Sequence, residues 1–267
     1  MVTRIISGAI GLVIFFVVMF SKNLVLTGAI TVLSLIALYE VLKAYGYHKH
    51  IPFCISGVLS AVAFGCAEYI KPEYNLALIF ILFFVYSLMM LFKHEEIESK
   101  DICTVFVLTL LIPFVFSSIA NIKKMENGNI YVWLPFIAAW VTDTFAYFTG
   151  RFFGRHKLCE KISPKKTVEG AVGGLIGAVI GFVIFALSME KSFGVNFNYI
   201  NLVILAVTAS ILSQIGDLFA SSIKRENNIK DFGNLMPGHG GVLDRFDSLL
   251  FSVPYILIFI KLFGIIG

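Results

Sequence analysis

Charge is what this sequence has little of. Only 14% of its 267 residues are Asp, Glu, Lys or Arg, while 58% are hydrophobic. Soluble domains carry about 25% charged residues, so composition alone excludes an ordinary soluble protein and indicates a polytopic membrane chain. Paired cysteines are also missing. Cys54, Cys66, Cys103 and Cys159 show no CxxC spacing, which argues against a disulfide framework or a zinc site; three of them fall in apolar runs, where packing is the expected role. No GxxxxGK[ST] phosphate loop occurs, and no Ser/His/Asp or Cys/His arrangement stands out. Histidines do not cluster for zinc; "YHKH" at 47–50 reads as an interfacial loop. The apolar start resembles a signal peptide, but no small-x-small cleavage site follows Phe20, so a retained span is expected.

What is present is a series of apolar runs. A bilayer core takes about 20 apolar residues per helix. Nine runs qualify, at roughly 5–21, 24–43, 51–70, 75–92, 102–121, 131–150, 170–188, 200–222 and 248–266. The runs are too long and continuous for spanning strands. The expected fold is therefore an all-α integral membrane protein, a helical bundle of about nine spans. Residues 1–130 would form an N-terminal set of about five spans, and residues 131–267 a catalytic membrane domain of about four.

Basic residues set the orientation. With nine spans, 15 of the 21 lysines and arginines fall on one side, Arg4 among them, and six on the other, including Lys71. That bias places the long loops at 151–169 and 223–247 in the cytoplasm. The run 170–188 carries Gly170, Gly173, Gly174, Gly177 and Gly181, a smooth face for close helix packing. Packing within one chain is its simplest use; a homodimer contact is the other.

The few polar residues inside the apolar runs gather in two places. Asp143 lies within the sixth run, with Tyr147 and Gly150 following on the same face. A carboxylate at that depth costs on the order of 3 kcal/mol, so it is expected to line a cavity or hold a partner. The loop beyond it contains "SPKKTVEG". Ser163 and Pro164 suit a turn or helix start, and Lys165 and Lys166 offer two adjacent cations for lipid headgroups or a polyphosphate.

In the eighth run, Asp217, Ser221 and Lys224 share a helix face. Then comes "GNLMPGHGGVLDRFDS". His239 sits among Gly238, Gly240 and Gly241, where backbone can approach an anion closely. Asp244 and Asp247 are three apart and can share a helix face. Together with Asp217 they form a candidate hard-cation site suited to Mg2+. Cations, a Gly-rich loop and acidic ligands on one membrane face fit phosphoryl or nucleotidyl transfer between two anions. No protein nucleophile is needed if the acceptor is itself a phosphate.

The stretch from Ser221 through Lys224-Arg225, Lys230-Asp231, Gly233, Pro237, His239-Gly240-Gly241 and Asp244-Arg245 to Asp247 resembles the signature of the phosphatidate cytidylyltransferases, with Met236 a mild departure. "SPKKTVEG" and the Asp143 helix resemble that family too. The motifs cover roughly residues 140–250; the N-terminal half is similar only in being multi-span. The resemblance implies transfer of CMP from CTP to phosphatidate, a bilayer lipid, giving CDP-diacylglycerol and pyrophosphate at the cytoplasmic face of the cell's inner (plasma) membrane. It implies no nucleic-acid partner. It places Asp217, Asp244 and Asp247 at magnesium, allows a monovalent cation beside it, and sets Lys165, Lys166, Lys224, Arg245 and His239 around the phosphates. Ser163, Gly240, Gly241 and Asp143 complete the expected substrate-binding set, with Asp217, Asp244, Lys224 and Arg245 nearest the chemistry. Which basic loop holds CTP and which the lipid phosphate stays open. A CTP-dependent kinase for a polyprenol-type alcohol is the alternative; it would need a base and would release CDP. A transporter would explain Asp143 and Asp217 as relay sites, but not two phosphate-like loops on one face.

Overall fold

The computed structural model describes residues 2–66, 72–93 and 95–267, with side chains from residue 6 onward except 72 and 73. Residues 67–70 of the expected third span, Lys71 and the Arg4 side chain lie outside the described residues. Each apolar run forms a helix: α1 (Val2–Phe20), α2 (Asn23–Ala44), α3 (Ile51–Gly65), α4 (Pro72–Phe92), α5 (Ser99–Lys124), α7 (Leu134–Phe153), α8 (Val168–Phe193), α9 (Tyr199–Glu226) and α11 (Leu249–Phe263). The short α6 (Gly128–Tyr131) and α10 (Leu243–Phe246) lie between them. A proline in the first turn of α3 and of α7 fits where an N–H has no intrahelical partner.

Among the described residues, α2, α4, α5, α8 and α9 are long and apolar enough to cross a membrane. The apolar parts of α1, α3 and α11 are shorter, at 10–17 residues. Helix α7 has the length, 20 residues, but Thr142, Asp143, Thr144 and Arg151 interrupt its apolar surface. The chain is thus a multi-pass helical membrane protein. All four cysteines are free and none is buried, with Cys66 and Cys103 exposed on the protein surface rather than packed.

Residues group into two units. The first comprises 1–120 and 229–245; the second comprises 121–228 and 246–267. In the first unit, α2 lies against α3, where a Cβ on Gly57 would overlap Leu38. Tyr86 of α4 is buried against Phe53 of α3 and shares a hydrogen bond with Ser56. Just after α2, Tyr47 donates to Asp101 at 2.7 Å, and burial together with that carboxylate raises the Tyr47 hydroxyl above its ordinary range. The 229–245 segment is tied to α2 through Glu40. Its Oε1 accepts from the Val242 backbone N–H at 3.0 Å and its Oε2 from that of Leu243 at 2.9 Å.

The second unit is built on the α7–α8 contact. The glycine face of α8 meets α7 directly. A Cβ on Gly173 would overlap Thr149, and one on Gly177 would overlap Phe145. Gly174 and Gly181 face Thr142 and Val141. The stripe therefore serves packing within the chain. Helix α9 joins through a buried hydrogen bond from Thr142 to Ser210, 2.8 Å. Asn201 of α9 donates to the Phe263 and Gly264 carbonyls at the end of α11.

A small hairpin interrupts this helical plan: β1 (Lys157–Cys159) pairs antiparallel with β2 (Ser163–Thr167). "SPKKT" is thus a strand rather than a helix start. The helix begins only at Val168, where the Thr167 hydroxyl caps it by accepting from the Gly170 N–H at 3.1 Å. Glu169, in the first turn of α8, accepts from the backbone N–H groups of Arg155 and His156 and pairs with the His156 ring. These contacts fix the hairpin against the head of α8.

Candidate active site

The second unit brings several charged side chains of distant sequence positions together. Asp217 comes from α9, one turn before Ser221 and two turns before Lys224, and the Ser221 hydroxyl donates to its Oδ1 at 3.3 Å. The shared helix face is as the spacing requires. Lys166 of β2 places its Nζ 2.5 Å from Asp217 Oδ2. Lys224 Nζ stands 3.6 Å from Asp247 Oδ2. Asp143 of α7 accepts from the Ser248 hydroxyl at 3.1 Å, which ties it to the turn that holds Asp247.

Gly216 explains how α9 reaches that turn. A Cβ there would overlap the Asp247 carbonyl oxygen, so only glycine lets the helix approach so closely. Burial pushes the Asp247 carboxyl well above its ordinary range. The Asp217 carboxylate adds to the rise and Lys224 offsets part of it. Three carboxylates from α7, α9 and the turn before α11 thus feel one another and are balanced by two ammonium groups.

A cavity of about 370 Å³ opens beside this cluster. Asp143, Asp217, Ser163, Lys165 and Lys166 all line it. Arg151 also lines it and was not singled out in the sequence, although it lies two turns from Asp143 on the same face of α7. Its guanidinium donates to the Tyr147 hydroxyl at 2.9 Å. Gln214, another lining residue, donates to the Ala171 carbonyl at 3.3 Å. The hairpin contributes Lys165 and Lys166 and the helices contribute Asp143, Asp217 and Arg151, so cations and carboxylates both line the cavity, an arrangement able to hold phosphates around a cation.

The first unit holds the rest of the signature, in the loop that precedes α10. Asp244 Oδ2 accepts from the Phe232 N–H at 2.8 Å and the Gly241 N–H at 3.0 Å. His239 Nδ1 lies 3.0 Å from the Ser7 hydroxyl of α1. Gly240 takes a positive φ of 82°, and a Cβ there would crowd Asp244 Oδ2. Arg245 is exposed. Helix α10 ends at Phe246, so no single helix carries both Asp244 and Asp247; the second follows in a turn. Glu40, which sequence reading missed, is the main anchor of this loop. Its partners are 202 and 203 residues away, and no local spacing signals them.

The donor set suits a hard cation. Asp143, Asp217 and Asp247 offer only oxygen. Among the described residues no three acidic, His or Cys side chains stand close enough to enclose a metal by themselves. That agrees with Mg2+, which takes one or two carboxylates and completes its shell with water and phosphate oxygens.

Comparison with known proteins covers almost the whole chain. The cytidylyltransferase family model matches residues 2–263. The phosphatidate cytidylyltransferase of Bacillus subtilis is 31% identical over 272 residues, covering 98% of each chain. That of Staphylococcus epidermidis is 32% identical over 263 residues, with 95% of this chain and 96% of the relative covered. That of Staphylococcus aureus is 33% identical over 267 residues, with the same coverage. A chain matched over nearly its full length by this family model and these relatives belongs to the cytidylyltransferase family.

Proposed function

We propose that this protein transfers the cytidylyl group of CTP to phosphatidate, producing CDP-diacylglycerol and pyrophosphate. The observation that carries the reading is the full-length match to relatives that bear the name phosphatidate cytidylyltransferase. The cavity supplies a chemical rationale. Both reactants are anions, so the first task is to offset their repulsion.

Lys165, Lys166, Arg151 and Ser163 line the cavity and would bind phosphate oxygens. A lipid phosphate oxygen then forms a bond to the α-phosphorus of CTP. The bond from that phosphorus to the oxygen bridging to the β-phosphate breaks, and pyrophosphate leaves. The acceptor is already ionised, so no base has to remove a proton. Lys224 holds Asp247 in place, and Ser248 does the same for Asp143.

Magnesium held by one or two of the carboxylates Asp143, Asp217 and Asp247 would supply charge neutralisation on the phosphates. Lys166 and Lys224 balance those carboxylates through their pairs with Asp217 and Asp247. His239 and Arg245 enter the proposal through the signature as further phosphate-handling residues, and Asp244 as an expected metal ligand. The excess of basic residues on the two long loops supports a cytoplasmic site in the cell membrane.

Product analysis tests the reading. Purified protein given CTP, phosphatidate and Mg2+ should release pyrophosphate and form a CDP-lipid. Release of CDP with a polyprenol-type alcohol as acceptor would identify a lipid kinase instead.

A further inference from the structure

We propose that Glu40, in the N-terminal half of the chain, is a positioning residue that sets the backbone of the 231–245 loop for the transfer reaction. The proposal rests on the cytidylyltransferase reading and adds a residue outside its signature. Glu40 is 6% exposed and belongs to α2. Both its oxygens are used, one on the Val242 N–H and one on the Leu243 N–H. The Gly241 N–H, next in line, points at Asp244.

Three successive amides, 241 to 243, are therefore held by the protein's own carboxylates. Such a row of N–H groups could receive an external phosphate, but here it is already occupied. What the loop can offer a substrate is its side chains, and their aim depends on Glu40.

Two glycines of the signature are explained by the same carboxylate. A Cβ on Gly233 or on Gly241 would overlap Glu40. Glycine at these two positions makes room for Glu40, whatever else it does. The loop was expected to be glycine-rich for the sake of a ligand; at these two places the neighbour is a side chain of α2.

Glu40→Gln tests the role. The amide keeps one acceptor and sets an NH2 group against a backbone N–H. Turnover should fall about 10- to 100-fold, the scale of a small misplacement of reacting groups. The KM for whichever substrate Lys165→Ala shows to bind the lysine-lined cavity should stay within about 2-fold of wild type, because that cavity lies in the other unit. Hydrogen exchange, measured without substrate, should speed up at Val242 and Leu243 by about 10-fold or more, while the amides of α8 and α9 keep their protection.

A second variant covers the case in which Glu40→Gln does not fold. Gly241→Ala leaves the carboxylate in place but crowds it, and should lower turnover in the same way. In a Glu40→Ala background the added methyl group should cost little more, because the group it would strike is gone. Wild-type exchange at 242–243 in Glu40→Gln, turnover within about 2-fold of wild type, or full additivity of Glu40→Ala and Gly241→Ala would each overturn the proposal. Absence of CDP-lipid formation by the wild-type protein would instead remove the proposed function, and the exchange result would still decide whether Glu40 holds the loop.

Discussion

Removal of Lys224 should destabilise the protein in a way that depends on pH. Its ammonium lies 3.6 Å from Asp247, and the two side chains are 10% and 15% exposed. Breaking a buried pair by deleting one partner costs about 3–5 kcal/mol. The separation is beyond hydrogen-bond length, so about 3 kcal/mol is the ceiling for Lys224→Met. Asp247 has a way to limit the loss, which is to take up a proton.

The sign follows from linkage. The Asp247 carboxyl is raised in the folded protein, so the fold binds that proton more tightly than the unfolded chain does. Stability is full below the ordinary aspartate value near 4 and declines as pH rises through the folded value. Loss of Lys224 raises the folded value further. The variant then continues to lose about 1.4 kcal/mol per pH unit after the wild type has levelled off. At pH 5 the two proteins should melt together. At pH 8, one unit above the folded value of about 7, the extra loss is about 1.4 kcal/mol, so the variant should melt about 3–6 °C lower, given roughly 2–4 °C per kcal/mol for a chain of this size.

The assay is thermal unfolding in detergent with a chelator, repeated for Asp247→Asn and the double variant. The cycle isolates the pair from other contacts of Lys224. An equal melting shift at pH 5 and pH 8, or zero coupling at pH 8, would refute the electrostatic account.

Other outcomes follow from packing and from the cavity wall. Gly177→Ala puts a methyl group into Phe145 and should cost about 1–3 kcal/mol in unfolding experiments; an unchanged melting curve would mean the α7–α8 contact is looser than described. Thr167→Ala removes the cap of α8 and should cost about 1 kcal/mol, read from the same curves. Lys165 is exposed and lines the cavity, so Lys165→Ala should leave melting unchanged while raising KM for one of the two anionic substrates by about 10-fold; comparing CTP with phosphatidate titrations would show which phosphate it binds.

Much of this could be read from the sequence because the relevant signals are local. Among the described residues each apolar run is helical, since a hydrophobic run of that length has one good way to satisfy its backbone. The glycines of α8, spaced by three and four, packed as such a face should. Asp143, Ser163, Lys165, Lys166 and Asp217 were singled out separately and share one cavity.

What escaped was set by contacts distant in sequence or by short-range geometry without a period. Glu40 looks like a stray charge near the end of an apolar run, and only the fold brings it to Val242 and Leu243. The β1–β2 hairpin is too short for an alternating pattern. Arg151 was hidden at the end of an apolar helix, where a cation reads as an interfacial anchor. Asp247 left the helix face it was expected to share with Asp244, because α10 stops after one turn.

The central claim is that the carboxylates around Asp217 enable the transfer of a cytidylyl group between two phosphates. Pyrophosphate release from CTP with phosphatidate and Mg2+, compared between wild type and Asp217→Asn, tests it most directly. The wild type should turn over and the variant, folded by its melting curve, should lose at least about 100-fold, the scale of losing one transition-state charge contact. Turnover by Asp217→Asn equal to that of the wild type would contradict the account.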